Sequence, residues 1–189
     1  MKASFTSIVF SLSLSMGAIA FAQDVTPLQG KPNLPPSDAI TAAATAIAKQ
    51  RQIQNRLDFL LAPIKSQDDL VRYLATTPKA QSPLEWLSPG AKQRLLASLF
   101  FNENGLVSYD YADLVNELSA SQAYQVLGLF GAQRTMGALK GIRVSNEADR
   151  LVTPPVISQR EMEDDHEGFR CVGPHNCSSY PDMICMTGC

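Results

Sequence analysis

Four cysteines, Cys171, Cys177, Cys185 and Cys189, fall in the last nineteen residues, and both histidines, His166 and His175, lie beside or among them. Thiolates with imidazole are zinc ligands, and thiols alone close disulfides. Neighbouring cysteines are separated by five, seven and three residues, so the Cys-x2-Cys pair of a zinc knuckle is missing. An even number of cysteines in an oxidising compartment reads as two disulfides, each stabilising its loop by roughly 2–4 kcal/mol. Three pairings are open, and zinc or free thiols are the competing readings.

Carboxylates are the other chemistry-bearing residues. Glu161, Glu163, Asp164, Asp165 and Glu167, with His166 among them, could hold a hard cation, although such runs are usually solvated faces. Asp68, Asp69, Glu85, Glu103, Asp110, Asp113 and Glu117 could supply the paired acids of a glycoside hydrolase. Most of them stand at expected helix starts, where capping explains them. A Ser or Cys nucleophile would need a base, and the histidines lie only near the C-terminus. There is no Gly-x-Ser-x-Gly elbow, phosphate-binding loop or dinucleotide fingerprint. The expectation is a protein without enzymatic activity, cofactor or metal.

The stretch Asn102-Glu103-Asn104-Gly105-Leu106-Val107-Ser108 resembles the middle of an EF-hand calcium loop, with Gly105 at the sharp sixth position. Phe100 and Tyr111 then occupy the first and twelfth positions, where calcium requires carboxylates. The stretch is therefore read as the corner between two helices. Trp86, Tyr109 and Tyr111, near Tyr124 and the Phe100-Phe101 pair, are candidates for a partner-binding face, with core filling as the alternative. Asn176-Cys177-Ser178 formally matches a glycosylation sequon but is discounted for its central cysteine and an expected bacterial host.

The elements that must position these residues begin with a targeting segment. Lys2, the apolar run Ile8 to Phe21 and the small-x-small sequence Ala20-Phe21-Ala22 read as a signal peptide cut between Ala22 and Gln23. Export agrees with the cysteines, and the expected location is periplasmic or secreted. No stretch is long enough to span a bilayer, which takes about 20 apolar residues. With 16 basic against 18 acidic residues, there is no basic surface for nucleic acid. What remains after cleavage is near the roughly 150 residues at which a domain buries about 70% of its unfolded surface.

Residues 23–36 form a Pro-rich linker. Residues 37–141 read as a helical domain whose first helix carries Ala39, Ala43, Ala46, Gln50, Ile53, Leu57 and Leu60 in one stripe. Helix starts follow at Ser66, Ser82 and Ser88; further helices run from Asp110 to Leu118 and from Ser119 or Ser121 to Met136. Residues 142–170 read as an extended charged segment and 171–189 as a Cys-rich tail. The expected fold is all-α, a compact bundle of about five helices followed by an extended, disulfide-stapled tail.

The functional expectation is an exported, non-enzymatic helical protein that binds another macromolecule, such as an inhibitor or immunity-type partner of a cell-envelope enzyme. The alternatives are a carrier or pro-domain for the stapled C-terminal peptide, released at Arg170, and a carboxylate-based envelope hydrolase.

Overall fold

A computed structural model describes residues 37–153 and 165–189. The expected signal segment with its cut at Ala22 and Gln23, the Pro-rich linker, and Glu161, Glu163 and Asp164 lie outside these residues. The described residues form six α-helices, three short 3-10 helices and four strands. The fold is mixed α/β, which corrects the all-α expectation.

Helix α1 spans Ser37–Leu61 and α2 spans Gln67–Thr76. Between them the Ser66 hydroxyl accepts from the Asp69 N–H at 3.1 Å and the Asp69 carboxylate accepts from the Lys65 N–H at 3.1 Å. The first bond satisfies one of the donors that a helix start leaves orphaned, and the second pins the residue before the cap. Two 3-10 turns, Lys79–Gln81 and Pro83–Trp86, lead to α3, Pro89–Ser98. The Ser88 hydroxyl accepts from the Ala91 N–H, and Ser88 itself donates through N–H and Oγ to the Glu117 carboxylate at 2.6 and 2.7 Å.

The chain then leaves helical geometry where the sequence pattern suggested a helical corner. Strand β1, Phe100–Asn102, turns through Glu103 and Asn104 into β2, Gly105–Asp110. The Asn102 side chain accepts from the Asn104 N–H at 2.8 Å, and Gly105 takes φ +95°. A tight turn followed by a left-handed glycine is hairpin chemistry, and it uses the same Asn and Gly residues as a calcium loop. Aromatic and branched residues on both sides of Asn104-Gly105 tip the balance toward strands.

Helices α4, Ala112–Glu117, and α5, Ala120–Gly128, come next. The expected continuation of α5 to Met136 stops at Gly128; a turn follows in which Gly131 adopts φ +67°, and a 3-10 helix covers Gln133–Ala138. Helix α6, Glu147–Val152, stands where an extended segment was expected. It is nucleated by a capping box in which Asn146 Oδ1 accepts from the Asp149 N–H and Asp149 Oδ2 accepts from the Asn146 N–H.

The largest correction concerns the C-terminus. The cysteine segment is not an appendage, because it folds into β3, His166–Gly173, and β4, Asn176–Cys185. The antiparallel sheet has the order β1-β2-β4-β3. In the interior strand β4, Ile184 faces Tyr109 of β2 on one side and Glu167 of β3 on the other. Ile184 and Tyr109 are both fully buried, in one core with Ile64, Leu84, Leu95, Leu114, Leu118 and Leu127. Helices and sheet thus share the main apolar interior.

The stripe on α1 is also placed otherwise than its periodicity suggested. Ala39, Ala43, Ala46, Gln50, Ile53, Leu57 and Leu60 are all exposed, as are Ile40, Ile47 and Leu61 beside them, and α1 meets the body only near its C-terminal end. There Gly131 lies against the backbone of Asp58 and Phe59, and the Ile64 N–H donates to the Leu129 carbonyl at 3.0 Å.

Candidate functional site

All four cysteines are oxidised, as Cys171–Cys189 and Cys177–Cys185, with Cα separations of 5.7 and 6.0 Å. The register of the strands does not give this choice among the three pairings, since the two cysteines it sets opposite one another are not bonded to each other. Cys171 and Cys177 face one another across β3 and β4, while Cys185 lies farther along β4, beside Ser108 of β2. Cys171, Cys185, Cys189 and Val107 form a second small apolar core, with Cys177 half-buried against it. The Ser108 hydroxyl accepts from the Cys171 N–H at 3.2 Å, which ties the outer strand to β2 across β4. Neither histidine joins the sulfurs. The His166 ring meets Phe169 edge-on at 6.1 Å, and His175 sits at the β3–β4 turn with φ 56°, donating its N–H to the Cys189 carbonyl at 2.6 Å.

The expected aromatic face is divided. Trp86 is 43% exposed on its 3-10 turn. Tyr109 is fully buried, with its hydroxyl 2.5 Å from Thr135 Oγ1. Because that Oγ1 donates to the Ala132 carbonyl at 2.7 Å, the tyrosine is the donor between the two. Burial pushes the Tyr109 phenol well above its ordinary value. Tyr111 is also buried and donates to Glu167 at 3.1 Å; burial, helped by the Glu167 charge, pushes its phenol up to about 12.

The mid-chain carboxylates are mostly engaged by the fold. Asp69 caps α2, and its backbone bond from Lys65 holds its carboxyl below the usual range. Glu85 pairs with Lys92 at 2.7 Å, Asp113 with Arg94 at 2.6 Å, and Glu117 caps α3. Asp110 accepts from the Ala112 N–H, and burial raises its carboxyl. In the acidic run, Asp165 is buried against Arg134 at 3.0 Å and accepts from the Thr187 N–H at 2.7 Å, and Glu167 pairs with Lys140 at 2.7 Å. These groups latch the start of β3 and the end of β4 onto the helical side.

No catalytic or ligand motif of the sequence singles out Asp149. It is fully buried and accepts from the N–H groups of Ser121 and Ser145 at 2.9 and 2.8 Å. Those bonds, Ser121 first, hold its carboxyl far below the ordinary range. Its signal in the sequence was the Asn-x-x-Asp spacing of a capping box. An open, mainly apolar depression of about 290 Å³ lies nearby, lined by Tyr124, Gln133, Arg134, Met136, Leu151 and Val152. Its one charged group, Arg134, is already held by Asp165.

Two features are left that local structure does not explain. One is the buried sulfur cluster. The other is the apolar half of α1, where Ala39, Ala43 and Ala46 continue the exposed Ile and Leu residues over the 25-residue helix. Among the described residues no helix is long and apolar enough to cross a membrane. Comparison with protein-family models, with curated proteins and with solved structures gives no match for this chain.

Proposed function

We propose that this chain is an exported, non-enzymatic binding protein that engages a protein of the cell envelope through the apolar face of α1. The observation that carries the reading is the uncovered half of that helix. Ile40 and Ile47 are 51% and 50% exposed, and Ile53 and Leu60 are 53% and 51% exposed. An amphipathic helix ordinarily turns such a stripe toward a core, and a partner's groove is the other way to remove it from water. Each of these side chains is about half covered already, so burying the remainder contributes on the order of 1 kcal/mol, and several of them must be covered together to offset the cost of association. Two disulfides and the leader-like N-terminus support an oxidising location. The structural engagement of most mid-chain carboxylates favours binding over hydrolysis.

The test is capture from envelope extract with crosslinking, using the wild-type chain and an Ile47→Asp/Leu57→Asp variant. Both positions are exposed, so the fold is expected to survive the change. A stoichiometric partner retained by the wild type and lost by the variant is the expected result. Failure of the wild type to retain any partner after crosslinking would overturn the reading.

A further inference from the structure

The two disulfides are packed together. The Sγ atoms of Cys171, Cys185 and Cys189 all lie within 4.8 Å of one another, although Cys185 is bonded to Cys177. Cys171, Cys185 and Cys189 are buried, at 5%, 0% and 6% exposure, whereas Cys177 is half-buried. A reductant therefore has its easiest approach at Cys177. The sulfur released by attack there is Cys185, which already stands beside the other disulfide.

We propose that the four sulfurs form an intramolecular thiol–disulfide relay, in which Cys177 is the entry point and Cys185 passes reduction to the buried Cys171–Cys189 bond. The co-reactant is a dithiol, either a small molecule or an oxidoreductase. Its thiolate attacks Cys177 Sγ, forming a mixed disulfide as the Cys177–Cys185 bond breaks and Cys185 leaves as thiolate. The second thiol of the reductant displaces Cys177, which takes up a proton. The reductant ends as a disulfide, and the Cys177/Cys185 pair has gained two electrons. Cys185 then attacks the Cys171–Cys189 bond; it bonds to one of the two sulfurs, and the other leaves as thiolate and is protonated. This last step moves no net electrons. It needs no diffusional encounter, because the fold holds the attacking sulfur at its target. When Cys171 is the sulfur released, it faces Cys177 across the β3–β4 ladder, so a second pairing of the same four residues is within reach.

The relay separates two variants that each lose the same disulfide. In Cys177→Ser, the unpaired Cys185 sits in the cluster; in Cys185→Ser, the unpaired Cys177 sits at its edge. Each oxidised protein is incubated without reductant, quenched in acid, labelled at free thiols and cleaved at Met183 and Met186, which isolates Cys185 and Cys189; tandem mass spectrometry then places the label on Cys171 or Cys177 within the fragment that holds both. In Cys177→Ser the label is expected on Cys171 or Cys189 as well as on Cys185, at least tenfold faster than exchange in Cys185→Ser. Label confined to Cys185, or equal exchange in the two variants, overturns the relay. The native chain with one equivalent of dithiothreitol gives a test that needs no variant. Cys177 is expected to be labelled together with Cys171 or Cys189, and label on Cys177 and Cys185 alone, or on Cys171 and Cys189 alone, overturns it.

Discussion

Truncating Ile184 to alanine tests whether the C-terminal strands and the helices are one cooperative body. Ile184 is fully buried in the interior strand β4, and it belongs to the same apolar cluster as Leu84, Leu95, Leu114 and Leu127. The substitution removes three carbons, a transfer loss of about 2.4 kcal/mol at ~0.8 kcal/mol per carbon. The cavity left in the core adds to this, and such truncations cost about 2–5 kcal/mol in all. With a midpoint of about 3.5 kcal/mol and roughly 2–4 °C per kcal/mol for a chain of this size, Tm is expected to fall by about 7–14 °C. The assay is thermal unfolding of the oxidised protein, followed by far-ultraviolet circular dichroism and by fluorescence of Trp86, the single tryptophan, which stands on the helical side. Both probes should shift together. A Trp86 transition that stays in place while the dichroism changes would mean that the strands melt as a separate stapled unit, which would refute the shared core.

Four further substitutions test individual positions. Gly131→Ala is expected to lose about 2–3 kcal/mol in a urea midpoint, because a left-handed alanine costs ~1 kcal/mol and its Cβ would stand 2.9 Å from the Asp58 carbonyl oxygen. Gly168→Ala has φ +78° with nothing within 4 Å of the new Cβ, and should lose only about 1 kcal/mol; equal losses at the two sites would refute the close approach of α1. Tyr109→Phe is expected to lose about 1–2 kcal/mol, and calorimetry should show a smaller loss when Thr135→Val is already present. The depressed Asp149 carboxyl adds stability that is present above the unfolded-chain value of about 3.9 and drains away as pH falls through the folded value. Chemical denaturation from pH 6 to pH 2 should therefore show the gap between wild type and Asp149→Asn narrowing with acid; a constant gap would remove Asp149 from the acid limb.

Helix starts were legible in the sequence because capping is local. Ser66, Ser88 and Ser119 each stand before a helix as their spacing predicted, and Gln122 Oε1 accepts from the Ser119 N–H at 2.9 Å. Apolar period and burial coincide where a helix lies on the core, as at Leu70, Leu95, Leu114, Leu118, Val126 and Leu127. The two part company at Val71 and Leu74, which are 60% and 46% exposed, and along the whole stripe of α1. Periodicity identifies an apolar face but does not say that anything covers it. The aromatic candidates diverged for a related reason: residue type marks a good anchor, and burial alone decides that Tyr109 and Tyr111 serve the interior while Trp86 reaches water.

By itself the sequence settled what neighbours along the chain can settle: caps, breaks at proline, the even set of cysteines and the lack of a familiar catalytic motif. Tertiary structure decided the sheet, since β4 is a strand only because β2, far away in sequence, and β3 supply its backbone partners. The sulfur pairing was decided in the same way. A disulfide requires two Cα atoms within about 4.4–6.8 Å, and which cysteines meet that condition depends on how the C-terminal segment folds in three dimensions rather than on their spacing along the chain.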